Sequence, residues 1–310
     1  MKHFLSIADA TDAELANILD LAIEMRHQRG AGQANAAVLS GKSLAMIFEK
    51  PSLRTRASFE QAVVELGGHA INLQGAEVGI GKRDSAADVA CVLNGMVNGV
   101  AARVFEHQTL SDLTCHSSVP VINLLSDRSH PCQALADAMT IMDEFGRDVR
   151  DRTLAFVGDG NNVARSVAFV CGKLGMKFVL SSPRGYELDD GFVEELAGHV
   201  PAMSFSLTHD PVEAVKHADV VYTDTWVSMG QESEMQKRCK DFEGYQINSQ
   251  LLAAAPEHAI VLHCLPAHRG FEITHDVIDG PRSRVFPEAH NRLHAQKGLL
   301  AVLLGDGGGS

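Results

Sequence analysis

Strand-length apolar runs alternate with helix-length segments along nearly the whole chain, and few folds accept that alternation. "SLAMIF", "HAINLQ", "VAARVF", "VPVINLL", "RTLAFV", "KFVLSS", "AMSFSL", "ADVVYTD" and "AIVLHCL" read as strands. Helical segments lie between them, such as the long "PCQALADAMTIMDEF" and "NVARSVAFVCGKLG". An amphipathic helix opens the series in "TDAELANILDLAIEMRHQR", where Leu15, Ile18, Leu19, Ala22 and Ile23 share a face and Thr11 with Glu14 has capping-box spacing. Repeated βα units with buried strands require parallel sheets covered by helices on both faces. The expected class is therefore α/β, with two doubly wound domains. The polar stretch "EFGRDVRDR" sets the boundary, giving domains of residues 1–147 and 148–310.

Composition narrows the function. The 310 residues are 45% hydrophobic and 21% charged, with a formal net charge of −12. An acidic chain of this kind lacks the electrostatic footprint of a nucleic-acid binder. A local basic site within it suits a small anion. The six cysteines (91, 115, 132, 171, 239 and 264) form no CxxC pair and read as reduced thiols. No apolar run reaches membrane-spanning length, and the first residues lack a signal-peptide core, so no membrane partner and a cytoplasmic location are expected. The "GDGGGS" tail is expected to be disordered.

Ligands of open α/β sheets bind beyond the carboxyl ends of strands. The polar clusters of this chain fall at such ends: "EKPSLRTR", Arg103, "SDRSHPCQ", "GDGNN", "DTWVSMG" and "CLPAH". Six such placements across two domains predict one active site in a cleft between them.

The most telling cluster is "SLRTR". Arg54 and Arg56 sit at a helix start, where the macrodipole already favours negative charge. Two hydroxyls (Ser52, Thr55), two guanidiniums and free N–H groups together suit a phosphate. In "HPCQ", His130 and Gln133 flank a helix start with Pro131 at its first position; they either hydrogen-bond a carbonyl or serve as a cap. His130 with Cys132 makes too small a set for a metal. "VGDGNNVARS" is a partial dinucleotide fingerprint without the full glycine pattern, and its Asn162 suits a carboxylate or an amine. "HCLPAH" leaves three readings of Cys264 open: a zinc ligand, a catalytic thiolate or a thiol lining a pocket. "DTWVSMG" places Asp224, Ser228 and Met229 in one loop, where the acid can hold an amine, while Trp226 reads as packing.

In this order, "SLRTR", "HPCQ", "DTWVSMG" and "HCLP" resemble the aspartate/ornithine carbamoyltransferase family, on its ornithine branch, over nearly the whole chain. The resemblance implies a carbamoyl phosphate domain followed by an ornithine domain, with the last helix (about 288–304) packing back on the first domain. It implies transfer of the carbamoyl group of carbamoyl phosphate to the side-chain amine of L-ornithine, in homotrimers or multiples of trimers, with no cofactor and no metal. Carried over by motif, Ser52, Leu53, Arg54, Thr55 and Arg103 bind phosphate, and His130 and Gln133 hold the carbamoyl group. Arg292 joins them from "NRLHAQK". Asn162, Asp224, Ser228 and Met229 take ornithine, and Cys264 and Leu265 lie where the substrates meet. Arg54, Arg103, His130 and Cys264 carry the chemistry.

"SMG" together with "HCLP" selects ornithine over aspartate, acetylornithine or putrescine within that family. A nicotinamide-dependent oxidoreductase is the alternative from another class, resting on "VGDGNN" alone. Two positions depart from the family pattern. Leu53 stands where a threonine is usual and can contribute its backbone N–H. Glu77 stands where a glutamine is usual, with Lys82 and Arg83 close by in sequence to offset its charge, and no site role is assigned to it.

Overall fold

The computed structural model describes residues 1–227 and 230–305; Ser228, Met229 and residues 306–310, which hold most of the tail expected to be disordered, lie outside the described residues. The chain forms two compact units, Met1–Met139 with His290–Ser310, and Thr140–Ala289. The division falls inside the helices Pro131–Phe145 and Val285–Leu304.

The first unit holds four parallel strands, β1 (Ser43–Phe48), β2 (His69–Gln74), β3 (Gly99–Arg103) and β4 (Val121–Leu125), in the order β2-β1-β3-β4. β3 is buried at every position and the middle of β1 is buried, whereas the edge strand β2 is mostly half-exposed. That explains why the central runs are continuously apolar: both faces carry helices. On one face Ala45, Ile47, Val100 and Ala102 pack against Val89, Leu93, Leu110 and Leu113 of the following helices. The open edge of β4 is covered by the N-terminal segment, through Phe4 N–H to Val121 O and Asn123 N–H to Phe4 O, both 2.8 Å.

The second unit has five parallel strands, β5 (Thr153–Val157), β6 (Lys177–Ser181), β7 (Phe205–Thr208), β8 (Val220–Thr223) and β9 (Ile260–His263), in the order β7-β6-β5-β8-β9. β8 and β9 are wholly buried. Trp226 is packing, as its sequence context suggested: it belongs to this unit's core and stacks on Phe242 with centroids 5.6 Å apart.

These strand orders contain one reversal each. The chain winds outward from β1 to β2 and then restarts at β3 on the other side; it does the same from β5 through β7 before restarting at β8. Such a switch point opens a crevice beyond the strand ends, because the two flanking crossovers depart in opposite directions. The crevices lie between β1 and β3 and between β5 and β8. Among the described residues, no helix is long and apolar enough to cross a membrane.

The last helix is unusual in burying polar residues along its length: Asn291, Arg292, His294, Gln296 and Lys297 are all buried. Its approach to the helix Asp12–Gly30 is close, since a Cβ on Gly298 would stand 2.2 Å from the Ile18 carbonyl oxygen. Lys297 Nζ is bound by Asn35 Oδ1 at 2.5 Å and Glu65 Oε2 at 2.8 Å. Burial, then the charges of Lys297, Arg26 and Arg29, push the His294 imidazole down to about 4. Such a group takes its proton more readily in the unfolded chain. Its contribution is fully present above pH 6.5 and is lost as pH falls from there toward 4. Glu14 and Glu65, held at about 2, act in a separate window below about 4.5. His294→Gln is therefore expected to retain about 2 kcal/mol more of its pH 7 stability at pH 5 than the parent. Urea unfolding at the two pH values measures this, and equal losses in both proteins would refute it.

Candidate active site

The helix Leu53–Glu65 starts beyond β1, at the first switch point. Ser52 is extended (φ −157°, ψ 111°), and its hydroxyl accepts the Thr55 N–H at 3.3 Å, a standard N-cap. The first turn carries no acidic residue. Leu53 points into solvent at 80% exposure, so its backbone N–H is what it offers this helix end. Arg54 is half-buried, while Arg56 is exposed and pairs along the helix with Glu60 at 3.1 Å.

Arg103 ends β3, paired in register with Phe48 at the end of β1, and is buried. At Arg103 the pairing with β4 slips by one residue, from Ala102↔Asn123 to Arg103↔Leu125, the kind of irregularity that re-aims a side chain at a sheet's end. His130 follows β4. Its carbonyl accepts the N–H groups of Gln133 (3.1 Å) and Ala134 (3.3 Å), so it sits at the cap of the helix that Pro131 begins. Burial pushes its imidazole well below the ordinary range, and the charges of Arg292, Arg103 and Arg54 push it further, in that order. The ring is therefore neutral at physiological pH, with three guanidiniums close enough to act on it.

Arg292 is bound into the same cluster, donating from Nη1 to Gln133 Oε1 (2.5 Å) and from Nη2 to Thr55 Oγ1 (3.2 Å). Gln133 in turn donates to the buried Asp137 at 2.8 Å. Cys132 is turned toward β4: its thiol donates to Asn123 O at 3.3 Å and is raised by burial to about 12. It is no thiolate and no ready metal ligand. A cluster of arginines beside helix-end N–H groups, with a neutral imidazole, is a strong anion receptor.

The second unit places acids at its switch point. Asn161 caps the helix Asn162–Lys173, its Oδ1 accepting from Val163 N (2.9 Å) and Ala164 N (3.1 Å). Its Nδ2 donates to Asp224 Oδ2 at 2.9 Å, beyond β8. Cys264, beyond β9, donates from Sγ to Asp224 Oδ1 at 3.0 Å. Asp224 and Cys264 are both buried. Asn162 is half-buried at the first helical position. The turn before it needs glycine at position 160, where a Cβ would lie 2.6 Å from the backbone of Glu187 and Leu188. Leu265 is half-buried in the left-handed region at φ 56°, a conformation costly for leucine, and precedes a cis bond to Pro266. Its N–H is held by His263 Nδ1 at 2.9 Å.

The metal reading of "HCLPAH" gains a third group in space. One ligand atom each from Asp224, His263 and Cys264 lies within 4.8 Å of the others. Both nitrogens of His263 are already engaged, Nδ1 by the Leu265 N–H and Nε2 by the buried Glu272 at 3.1 Å. A cation there would have to break those contacts; Asp224 and Cys264 form a hydrogen-bonded pair, and His263 holds the loop after β9 through Leu265 and Glu272.

Several residues of this region were not singled out from sequence. Asn161 was legible in principle, since an asparagine directly before a helix is a cap signal. Arg238 was not: it comes from the later helix Met235–Asp241, yet its Nη1 donates to Asp159 Oδ2 (2.8 Å) and to the Trp226 carbonyl (3.1 Å). Burial raises the Asp159 carboxyl; Arg238 opposes that, and the nearby Asp224 charge adds to it. Glu77 is exposed, and its carboxylate accepts its own helix's Gln74 N–H at 3.2 Å. Arg83 reaches the Glu77 carbonyl at 3.5 Å, not its carboxylate.

The chain is similar to known proteins along nearly its whole length. Residues 2–143 match the family model described as aspartate/ornithine carbamoyltransferase, carbamoyl-P binding domain, and residues 150–303 match its Asp/Orn binding domain. The ornithine carbamoyltransferase of Thermococcus kodakarensis is 48% identical over 98% of this chain and 96% of its own. That of Methanopyrus kandleri is 46% identical over 98% and 97%. The solved structure of the Pyrococcus furiosus ornithine carbamoyltransferase superposes with a TM-score of 0.95 at 46% identity, covering 100% of this chain and 98% of that one.

Proposed function

The chain belongs to the aspartate/ornithine carbamoyltransferase family, and from that premise we propose how its residues transfer a carbamoyl group from carbamoyl phosphate to ornithine. The products are citrulline and phosphate. One observation carries the reading: the charges of three arginines act on a neutral, buried histidine in the first unit, and a buried carboxylate bonded to a thiol lies at the switch point of the second.

The phosphate is taken by Arg54, Arg103, the hydroxyls of Ser52 and Thr55 and the helix-end N–H groups of Leu53 and Arg54. Arg292 and Gln133, already bonded to each other, frame the carbamoyl group. Neutral His130 donates a hydrogen bond to the carbamoyl oxygen as negative charge grows there, and the guanidiniums stabilise charge on the leaving phosphate.

Ornithine must attack as the free base. With a lysine-like pKa of 10.4, roughly one side-chain amine in 2,500 is deprotonated at pH 7. Asp224 with Cys264 positions that amine, while Asn162, Ser228 and Met229 hold the rest of the amino acid. The amine nitrogen bonds to the carbamoyl carbon as the carbon–oxygen bond to phosphate breaks, and the departing phosphate takes the amine's proton. The protein forms no covalent bond to the carbamoyl group. Two bound, oriented substrates supply much of the acceleration. We assign the enzyme to the cytoplasm, as a homotrimer or a multiple of trimers.

The test is an acceptor panel: carbamoyl phosphate with ornithine, acetylornithine, putrescine or aspartate, products identified by mass. Citrulline is expected to form at a kcat/KM at least a hundredfold above any other product. No citrulline, or a kinetically competent carbamoyl–protein adduct when ornithine is withheld, would overturn the scheme.

A further inference from the structure

We propose that Asn161 is a positioning residue for the acceptor: its side-chain amide fixes the Asp224 carboxylate in the orientation that receives the amine. This rests on the carbamoyl transfer to ornithine assigned above.

The argument starts from what a helix cap requires. The cap needs an oxygen acceptor, and Asn161 Oδ1 supplies it to Val163 and Ala164. Aspartate or serine would serve that purpose about as well. The amide Nδ2–H group is surplus to the cap, and it is directed at Asp224 Oδ2, 2.9 Å away. The capped helix therefore acts as a rigid mount, and the carboxylate is tied to it.

Asp224 needs such a tie. Its other oxygen accepts from Cys264 at 3.0 Å, and its charge acts on Asp159 nearby. Two carboxylates at one switch point repel. Arg238 secures Asp159, and the amide of Asn161 secures Asp224. With one donor on each oxygen, Asp224 has its carboxylate plane set by two loops and keeps unused lone pairs for an ammonium or amine. Removing the Asn161 donor frees rotation of that plane while the cap survives.

Asn161→Ser and Asn161→Asp separate the two roles. Both keep a capping oxygen; both lose the N–H donor, and only the second adds charge. Asn161→Ser is expected to melt within a few degrees of the parent and Asn161→Asp lower, because its added carboxylate faces Asp224; each is expected to raise the KM for ornithine about tenfold or more and to leave the KM for carbamoyl phosphate within about twofold. A crystal structure of Asn161→Ser is expected to show the Asp224 carboxylate rotated and its contact with Cys264 lengthened. An unchanged ornithine KM in Asn161→Ser would overturn the proposal, as would both KM values rising together or Asp224 remaining in place. If the parent makes no citrulline from ornithine, the assigned reaction fails, and the position of Asp224 in Asn161→Ser then decides the role of Asn161.

Discussion

Arg54→Met is expected to lower kcat/KM for carbamoyl phosphate by about 10²–10³-fold without destabilising the protein. Arg54, Arg103 and Arg292 all act electrostatically on the buried His130 ring. Those like charges repel one another, and a bound anion relieves that repulsion. Removing one guanidinium takes away both a contact with the leaving phosphate and part of that repulsion. Activity and stability are thus expected to move in opposite directions. Melting curves with and without inorganic phosphate make the point measurable. The parent is expected to gain thermal stability from phosphate by mass action, and the variant to start as high or higher and gain less. Retention of kcat/KM within tenfold would show that Arg54 does not face the anion.

Asp224→Asn is the counterpart in the second unit. It is expected to raise the KM for ornithine by about 10–100-fold, the usual scale of one charge-assisted hydrogen bond, with little change in the KM for carbamoyl phosphate. The carboxylate is buried and bonded by Asn161 and Cys264, so the neutral replacement also forces one of those donors to face an amide N–H. Against that, it removes the negative charge that helps raise the Asp159 carboxyl, allowing that group to fall toward its ordinary range. Steady-state kinetics with each substrate varied in turn separates the outcomes. A change confined to the KM for carbamoyl phosphate would put Asp224 on the wrong substrate.

The fold was legible in the sequence because its central strands are continuous apolar runs flanked by helical segments, a pattern that parallel sheets demand. The Ser52 cap and the Pro131 start were legible for a similar reason: each depends on neighbours a few residues away. What local pattern could not supply was partnership across long separations. Nothing in "MQKRCK" marks Arg238 as the partner of Asp159, 79 residues earlier. Arg292 entered only through family resemblance, because its contacts with Gln133 and Thr55 span 159 and 237 residues. The protonation state of His130 was also beyond reach, since it follows from burial and from three charges brought together by folding. "VGDGNN" shows the limit of motif reading: Asn162 drew attention as a ligand contact, while its neighbour Asn161, which was not singled out, is a cap whose spare donor holds an acid.

The Arg292–Thr55 contact also has a meaning in time. The first unit is discontinuous, and its anion receptor takes an arginine from the helix Val285–Leu304. At synthesis rates of about 5–20 residues per second, Thr55 leaves the peptidyl-transfer centre about 12–50 s before Arg292 does. During that interval the nascent chain comes to hold the residues of the first sheet and of the Ser52 cap but lacks Arg292. The complete charge cluster for carbamoyl phosphate therefore exists only after Arg292 has been made, and a chain terminated before that residue lacks it.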